Sequence, residues 1–113
     1  MQIINQEITI KELRAMAEKM FGNLVKAVVD IEKELLAVDA ELHADEEAYL
    51  LENGSEQKNL WGINLYPELT GDDFIEFDSM INLRPAQGNL IRGVADKKIQ
   101  QRIREIVDKL VKL

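Results

Sequence analysis

The stretch LLAVDAELHADEEAYLL, residues 35–51, constrains the fold more than any other part of the chain. Leu36, Val38, Ala40, Leu42, Ala44, Ala48 and Leu50 share one parity, broken only by Glu46. Asp39, Glu41, His43, Asp45 and Glu47 share the other. Successive side chains of a strand point to opposite faces, so this alternation predicts a polar row over a buried aliphatic row. A helix fits less well, because the 3-4 spacing of Leu35, Val38, Leu42 and Tyr49 would carry Asp45 onto the buried stripe. The stretch exceeds ordinary strand length, so the expectation is one long strand, or two strands joined at a kink near residues 39–41.

The flanking segments supply partners for such a sheet. Residues 3–8 read as a short edge strand, and Thr9 with Glu12 forms a capping box for a helix over residues 10–21. That helix presents Ile10, Leu13, Ala17, Met20 and Phe21 to the core, and Gly22-Asn23 ends it. The period then changes to two: Val25, Ala27, Val29 and Ile31 alternate with Lys26, Val28, Asp30 and Glu32, and a turn follows at Glu32-Lys33. Residues 60–66 and 74–84 read as two further strands, with Trp61, Ile63, Leu65, Ile75, Phe77, Ser79 and Ile81 on the core side. Asp96 caps a closing helix from Lys97 to about Lys112, striped by Ile99, Ile103, Ile106, Val107, Leu110 and Val111. Short connections predict strands in meander order and therefore antiparallel. The expected architecture is α+β, a single domain over residues 1–113. It is a two-layer sandwich in which an antiparallel sheet of about 4–6 strands carries the N-terminal and C-terminal helices on one face.

Three segments, ELHADEEAYLLENGS, LWGINLYPE and EFDSMINLRPAQGN, occur in that order and are followed by a terminal amphipathic helix. Together they resemble a family of short prokaryotic proteins catalogued only as a domain of unknown function. The resemblance covers nearly the whole chain. It implies a free-standing small domain, and it implies no activity and no catalytic residue.

Composition removes several function classes. With no cysteine there is no disulfide framework, thiolate metal site or cysteine nucleophile. The N-terminus has neither a basic nor an apolar leader region, and no apolar run approaches the roughly 20 residues of a membrane helix. A cytoplasmic protein with no membrane partner is the expectation. A net charge of −7 disfavours nucleic acid. The charge is uneven: residues 1–83 carry 18 Asp and Glu against 6 Lys and Arg, and residues 84–113 carry 3 against 8. Either the two regions attract each other within the fold, or the basic one recognises an anion.

If each strand turns its aliphatic parity to the helices, the opposite face collects His43, Asp45, Glu47, Asn64, Tyr66, Glu76, Asp78, Asn82 and Arg84. The loop that follows, 84–96, adds Gln87, Asn89 and Arg92 among two glycines. Two arginines in such a loop suit a carboxylate or phosphate, or else they pair with the acidic face and fix the loop. The leading expectation is therefore a small anionic ligand, or a protein partner, bound over the polar face and this loop. A rival is an acid–base or metal-dependent enzyme using His43 with Asp45, Glu47 and Asp78, in which a nearby carboxylate raises the pKa of His43. A third reading is a homodimer or adaptor meeting its partner through that face or through edge strand 3–8. No motif implies a cofactor. A Ser–His–Asp hydrolase is argued against by the inward parity of Ser79 and the absence of a GxSxG elbow.

Overall fold

A computed structural model describes all residues, Met1–Leu113. The chain is α+β, with three helices and a five-stranded antiparallel sheet. Strand β1 (Gln2–Ile4) lies at one edge, and β2 (Ile8–Thr9) leads directly into α1 (Ile10–Lys19). The expected strand 3–8 is thus two pieces in two different sheets. The capping box forms as predicted: the Glu12 N–H donates to Thr9 Oγ1 at 3.1 Å while Glu12 Oε1 accepts from the Thr9 N–H at 3.4 Å. Helix α1 stops before Phe21, which is exposed, and Gly22 at φ +90° donates its N–H to the Ala17 carbonyl at 2.7 Å.

Strands β3 (Val25–Asp30) and β4 (Leu35–Val38) form a hairpin. Its turn is built by Asp30, whose Oδ1 accepts the N–H groups of Glu32 and Lys33, both at 2.9 Å. The long-strand reading of residues 35–51 is overturned here. Asp39 adopts φ +70°, a left-handed conformation that short polar side chains tolerate and that ends the strand. The chain then forms helix α2 (His43–Glu52), rich in the good helix formers Ala, Glu and Leu. Its buried residues are His43, Glu46 and Leu50, and Leu42 is exposed rather than in the core.

Strand β5 (Leu60–Leu65) pairs with β3, not with β4 as a meander would require, because α2 carries the chain past the hairpin. Gly62 is required at its position: a Cβ there would lie 2.5 Å from Ser79 Cβ. Beyond it β6 is two residues, Ile75–Glu76, rather than the expected strand 74–84. After β6 the Ser79 Oγ caps a single tight turn, Met80–Asn82, by accepting the Ile81 N–H. The side chain of Asn82 then takes the place of a neighbouring strand. It accepts the Gly62 N–H at 2.8 Å and donates to the Gly62 carbonyl at 2.9 Å.

Helix α3 (Lys97–Leu110) starts where predicted, with Asp96 Oδ1 accepting the Lys98 N–H at 2.8 Å. It runs into β7 (Val111–Lys112), which pairs in parallel with β2 and ties the two ends of the chain together. The larger hydrophobic cluster joins Leu13, Met16 and Ala17 of α1 and Ile103, Ile106, Val107 and Leu110 of α3 to the sheet residues Val25, Ala27, Val29, Leu36, Val38, Trp61, Ile63 and Leu65. A smaller cluster joins Leu50 of α2 to Val28, Ala37 and Leu60, which have the opposite parity. That second side, expected to be open and polar, is therefore partly covered by α2. Glu34 receives Arg102 at 3.3 Å and Lys109 at 3.2 Å, and Asp72 receives Arg104 at 3.6 Å, so basic residues of α3 do pair with the acidic body. No helix is long and apolar enough to cross a membrane.

Candidate functional site

A cleft of about 390 Å³ opens between the N-terminal end of α2, the polar side of β3, β5 and β6, and the segment 78–81. Register explains its floor. Lys26 of β3 pairs with Asn64 of β5, which pairs with Glu76 of β6. Residues paired across antiparallel strands share a face, so these three side chains form one row. Asn64 Nδ2 donates to Glu76 Oε1 at 2.8 Å, and Tyr66 Oη donates to the same oxygen at 2.9 Å. Burial first, and then the bond to Glu76, hold the Tyr66 phenol above its ordinary pKa. Asn64 is 6% exposed, and its Oδ1 is buried without a hydrogen-bond partner. Such an acceptor carries a desolvation cost of about 1–3 kcal/mol unless something donates to it.

His43 begins α2 at the wall of this cleft. Its Nε2 lies 2.8 Å from the Ile63 carbonyl oxygen. A carbonyl can only accept, so Nε2 carries the proton and Nδ1 of the neutral ring is left as an acceptor. The expected upward pKa shift is overturned: burial lowers it, outweighing the Ile63 carbonyl, while Lys26 pulls it down further and Asp78 pulls it up. Because the unfolded chain then binds the proton more readily than the native one, the contribution of His43 to stability is complete above about pH 6.5 and declines as pH falls below it. A ¹H–¹³C NMR titration of the single imidazole should give a midpoint below the free value of 6.5. A midpoint above that value would mean that carboxylates, not burial, control the ring.

The first turn of α2 has a further property. Leu42 stands at the N-cap and no side chain caps the helix. The first N–H groups of a helix have no partner within it, and they carry its partial positive charge. Leu42, His43 and Ala44 all line the cleft. Lys26 approaches from the floor, its ammonium 4.9 Å from the centre of the Phe21 ring. On the far side Arg92 Nε meets Asp78 Oδ1 at 2.7 Å.

The structure divides the residues singled out from sequence into three groups. His43, Asn64, Asp78 and Arg92 line the cleft, with Tyr66 bonded to its floor. Arg84, Gln87, Asn89 and Asn82 instead hold the 84–96 loop to the body. Arg84 stacks on Trp61, its guanidinium carbon 4.2 Å from the ring centre, and donates to the carbonyls of Gln57 and Leu60. Gln87 donates to the Lys58 carbonyl at 2.8 Å. Asn89 donates to the carbonyls of Asn82, Ile91 and Gly93 and accepts from the Ala95 N–H. Asp45 is exposed on α2 and Glu47 half-buried, and neither lines the cleft. On a helix, residue 45 points away from the side shared by 43 and 47, so the His-x-Asp-x-Glu convergence imagined on a strand is not formed. No three His, Cys, Asp or Glu residues come together in a way that could hold a metal ion. Lys26 was missed, although the alternation of β3 places it on the same side as Asn64.

A family model described as "Protein of unknown function (DUF5674)" matches residues 2–110. No curated protein and no solved structure matches the chain.

Proposed function

We propose that this chain, which belongs to the DUF5674 family, binds a small molecule in the cleft beside α2 and grips it by an anionic group. The observation that carries this reading is the uncapped first turn of α2 opening into the cleft next to Lys26. Unsatisfied N–H groups and an ammonium together make an anion site, the more so because Lys26 has no carboxylate within ion-pairing distance. The cleft volume suits a small metabolite rather than a macromolecule. On this reading α1 and α3 form one layer behind the sheet, and α2 with the 78–92 segment frames the binding side. The loop arginine at the cleft is Arg92, paired with Asp78, while Arg84 serves the fold.

Thermal shift against phosphate, acetate, succinate and N-acetylglycine, each referenced to chloride, tests it. At least one anion is expected to raise the melting temperature of the parent by mass action. Lys26→Met is expected to fold as well as the parent and to lose that rise. If no anion stabilises the parent above chloride, the reading fails.

Neutral His43, with Nδ1 free and Nε2 anchored, also favours a second reading in which the bound molecule gives up a proton to Nδ1. Its sign would be turnover that falls with acidification below the His43 midpoint and is abolished by His43→Gln.

A further inference from the structure

The anion site accounts for only part of the cleft. Two charges in it are uncompensated: Lys26 on one flank of Asn64 and Glu76 on the other, neither of them in an ion pair. Arg92 and Asp78, by contrast, neutralise each other. Between the two unpaired charges lies the buried, unpartnered Oδ1 of Asn64, an acceptor that calls for a donor. His43 Nδ1, on a side chain 8% exposed, is a second acceptor without a partner in the chain. An anion alone would use Lys26 and the α2 N-terminus, and would leave both acceptors unused and Glu76 with only its two neutral donors, Asn64 Nδ2 and Tyr66 Oη.

We infer that the ligand is a small zwitterion of the α-amino-acid class. Its carboxylate lies at the α2 N-terminus and Lys26, and its primary ammonium lies over Asn64 Oδ1 and Glu76. The inference rests on the anion reading above and adds the cationic half. The spacing agrees. Lys26 and Glu76 are two strand spacings apart, roughly 9–10 Å at the backbone, so their side chains reach the two ends of one compact molecule set over Asn64. An ammonium offers three donors, which matches a carboxylate and a neutral carbonyl acceptor in one place. Adding a zwitterion also leaves the net charge of the cleft unchanged.

The test is a panel of free L-amino acids, their N-acetyl derivatives and their carboxamides, read by thermal shift and by the NMR resonances of the His43 ring. At least one free amino acid is expected to shift the His43 resonances. Its N-acetyl form and its carboxamide are each expected to bind about tenfold more weakly or worse, as for loss of one charge-assisted hydrogen bond. Glu76→Gln, an isosteric change at an exposed position, is expected to abolish the preference for the free amine over the N-acetyl form. Lys26→Met is expected to abolish the preference for the carboxylate over the carboxamide. If N-acetyl derivatives bind as tightly as free amino acids, or Glu76→Gln leaves the preference intact, the zwitterion inference is overturned while the anion site stands. If carboxamides bind as tightly as free amino acids, or no carboxylate of either kind shifts the His43 ring, the anion site falls and the inference with it.

Discussion

Glu46→Met is expected to stabilise the protein by about 3 kcal/mol at pH 7 and to flatten its pH dependence. Glu46 lies in the first turns of α2, is fully buried, and has no hydrogen-bond partner on either carboxylate oxygen. Burial pushes its pKa up to about 10, against a smaller downward pull from the Ala40 backbone and Lys26. The native state therefore keeps a proton that the unfolded chain releases above its ordinary pKa of 4.5. The sign follows from linkage: the stability is fully present below pH 4.5 and is lost as pH rises toward 10, at about 1.4 kcal/mol per unit. Methionine keeps the straight chain and the helix propensity without the ionisable group. Urea denaturation at pH 5, 7 and 8.5 should show the parent losing stability across the series and the variant holding it. Equal slopes for the two proteins would show that the carboxyl is not held neutral. The protonated state also bears on binding, because it leaves the uncapped turn of α2 without a buried negative charge to oppose an anion.

Glu46 also marks where the sequence misleads. The existence and the starts of α1 and α3 were legible because each has a polar cap and an apolar stripe, Thr9 with Glu12 and Asp96 with Ile103, Ile106 and Leu110. Helix α2 has no such stripe. Two of its three buried residues, His43 and Glu46, are polar, so apolar periodicity is blind to the i, i+3, i+7 pattern that they form with Leu50. Counting the stripe from Leu35 rather than from His43 made Asp45 seem buried and the helix seem the poorer fit. The single break in the alternation, Glu46, was the residue that the true period buries. The same limit applies to residues 77–84, where alternation continues but β5 is satisfied by a side chain instead of a strand. Asn64, Asp78 and Arg92 reach the cleft whether or not residues 77–84 are extended.

That substitution of side chain for strand makes Asn82→Leu the most damaging change expected at a polar position. Asn82 has no exposed surface. It accepts the Gly62 N–H at 2.8 Å and donates to the carbonyls of Gly62 and Arg92, both at 2.9 Å. Leucine keeps the branched shape but leaves the buried N–H and carbonyl of Gly62 unpaired, at about 1–3 kcal/mol each, and leaves the Arg92 carbonyl with the Ser79 N–H alone. A loss of roughly 2–6 kcal/mol is expected, a large share of the 5–15 kcal/mol by which small domains are stable. Asn82→Asp tests the direction of the bonds, because it keeps the acceptor for Gly62 and removes both donors while burying a charge, and it should also unfold readily. The contrast is Gln87→Ala, whose single exposed bond to Lys58 water can replace, with an expected loss within about 0.5 kcal/mol. Chemical denaturation of the three variants checks the ranking. Should Asn82→Leu cost no more than Gln87→Ala, the amide is not what closes the edge of β5. If the large loss appears, positioning of the cleft depends on it as well. Asn82 and the Ser79 N–H share the Arg92 carbonyl, so the arginine facing Asp78 is held in place by the residue that completes the sheet.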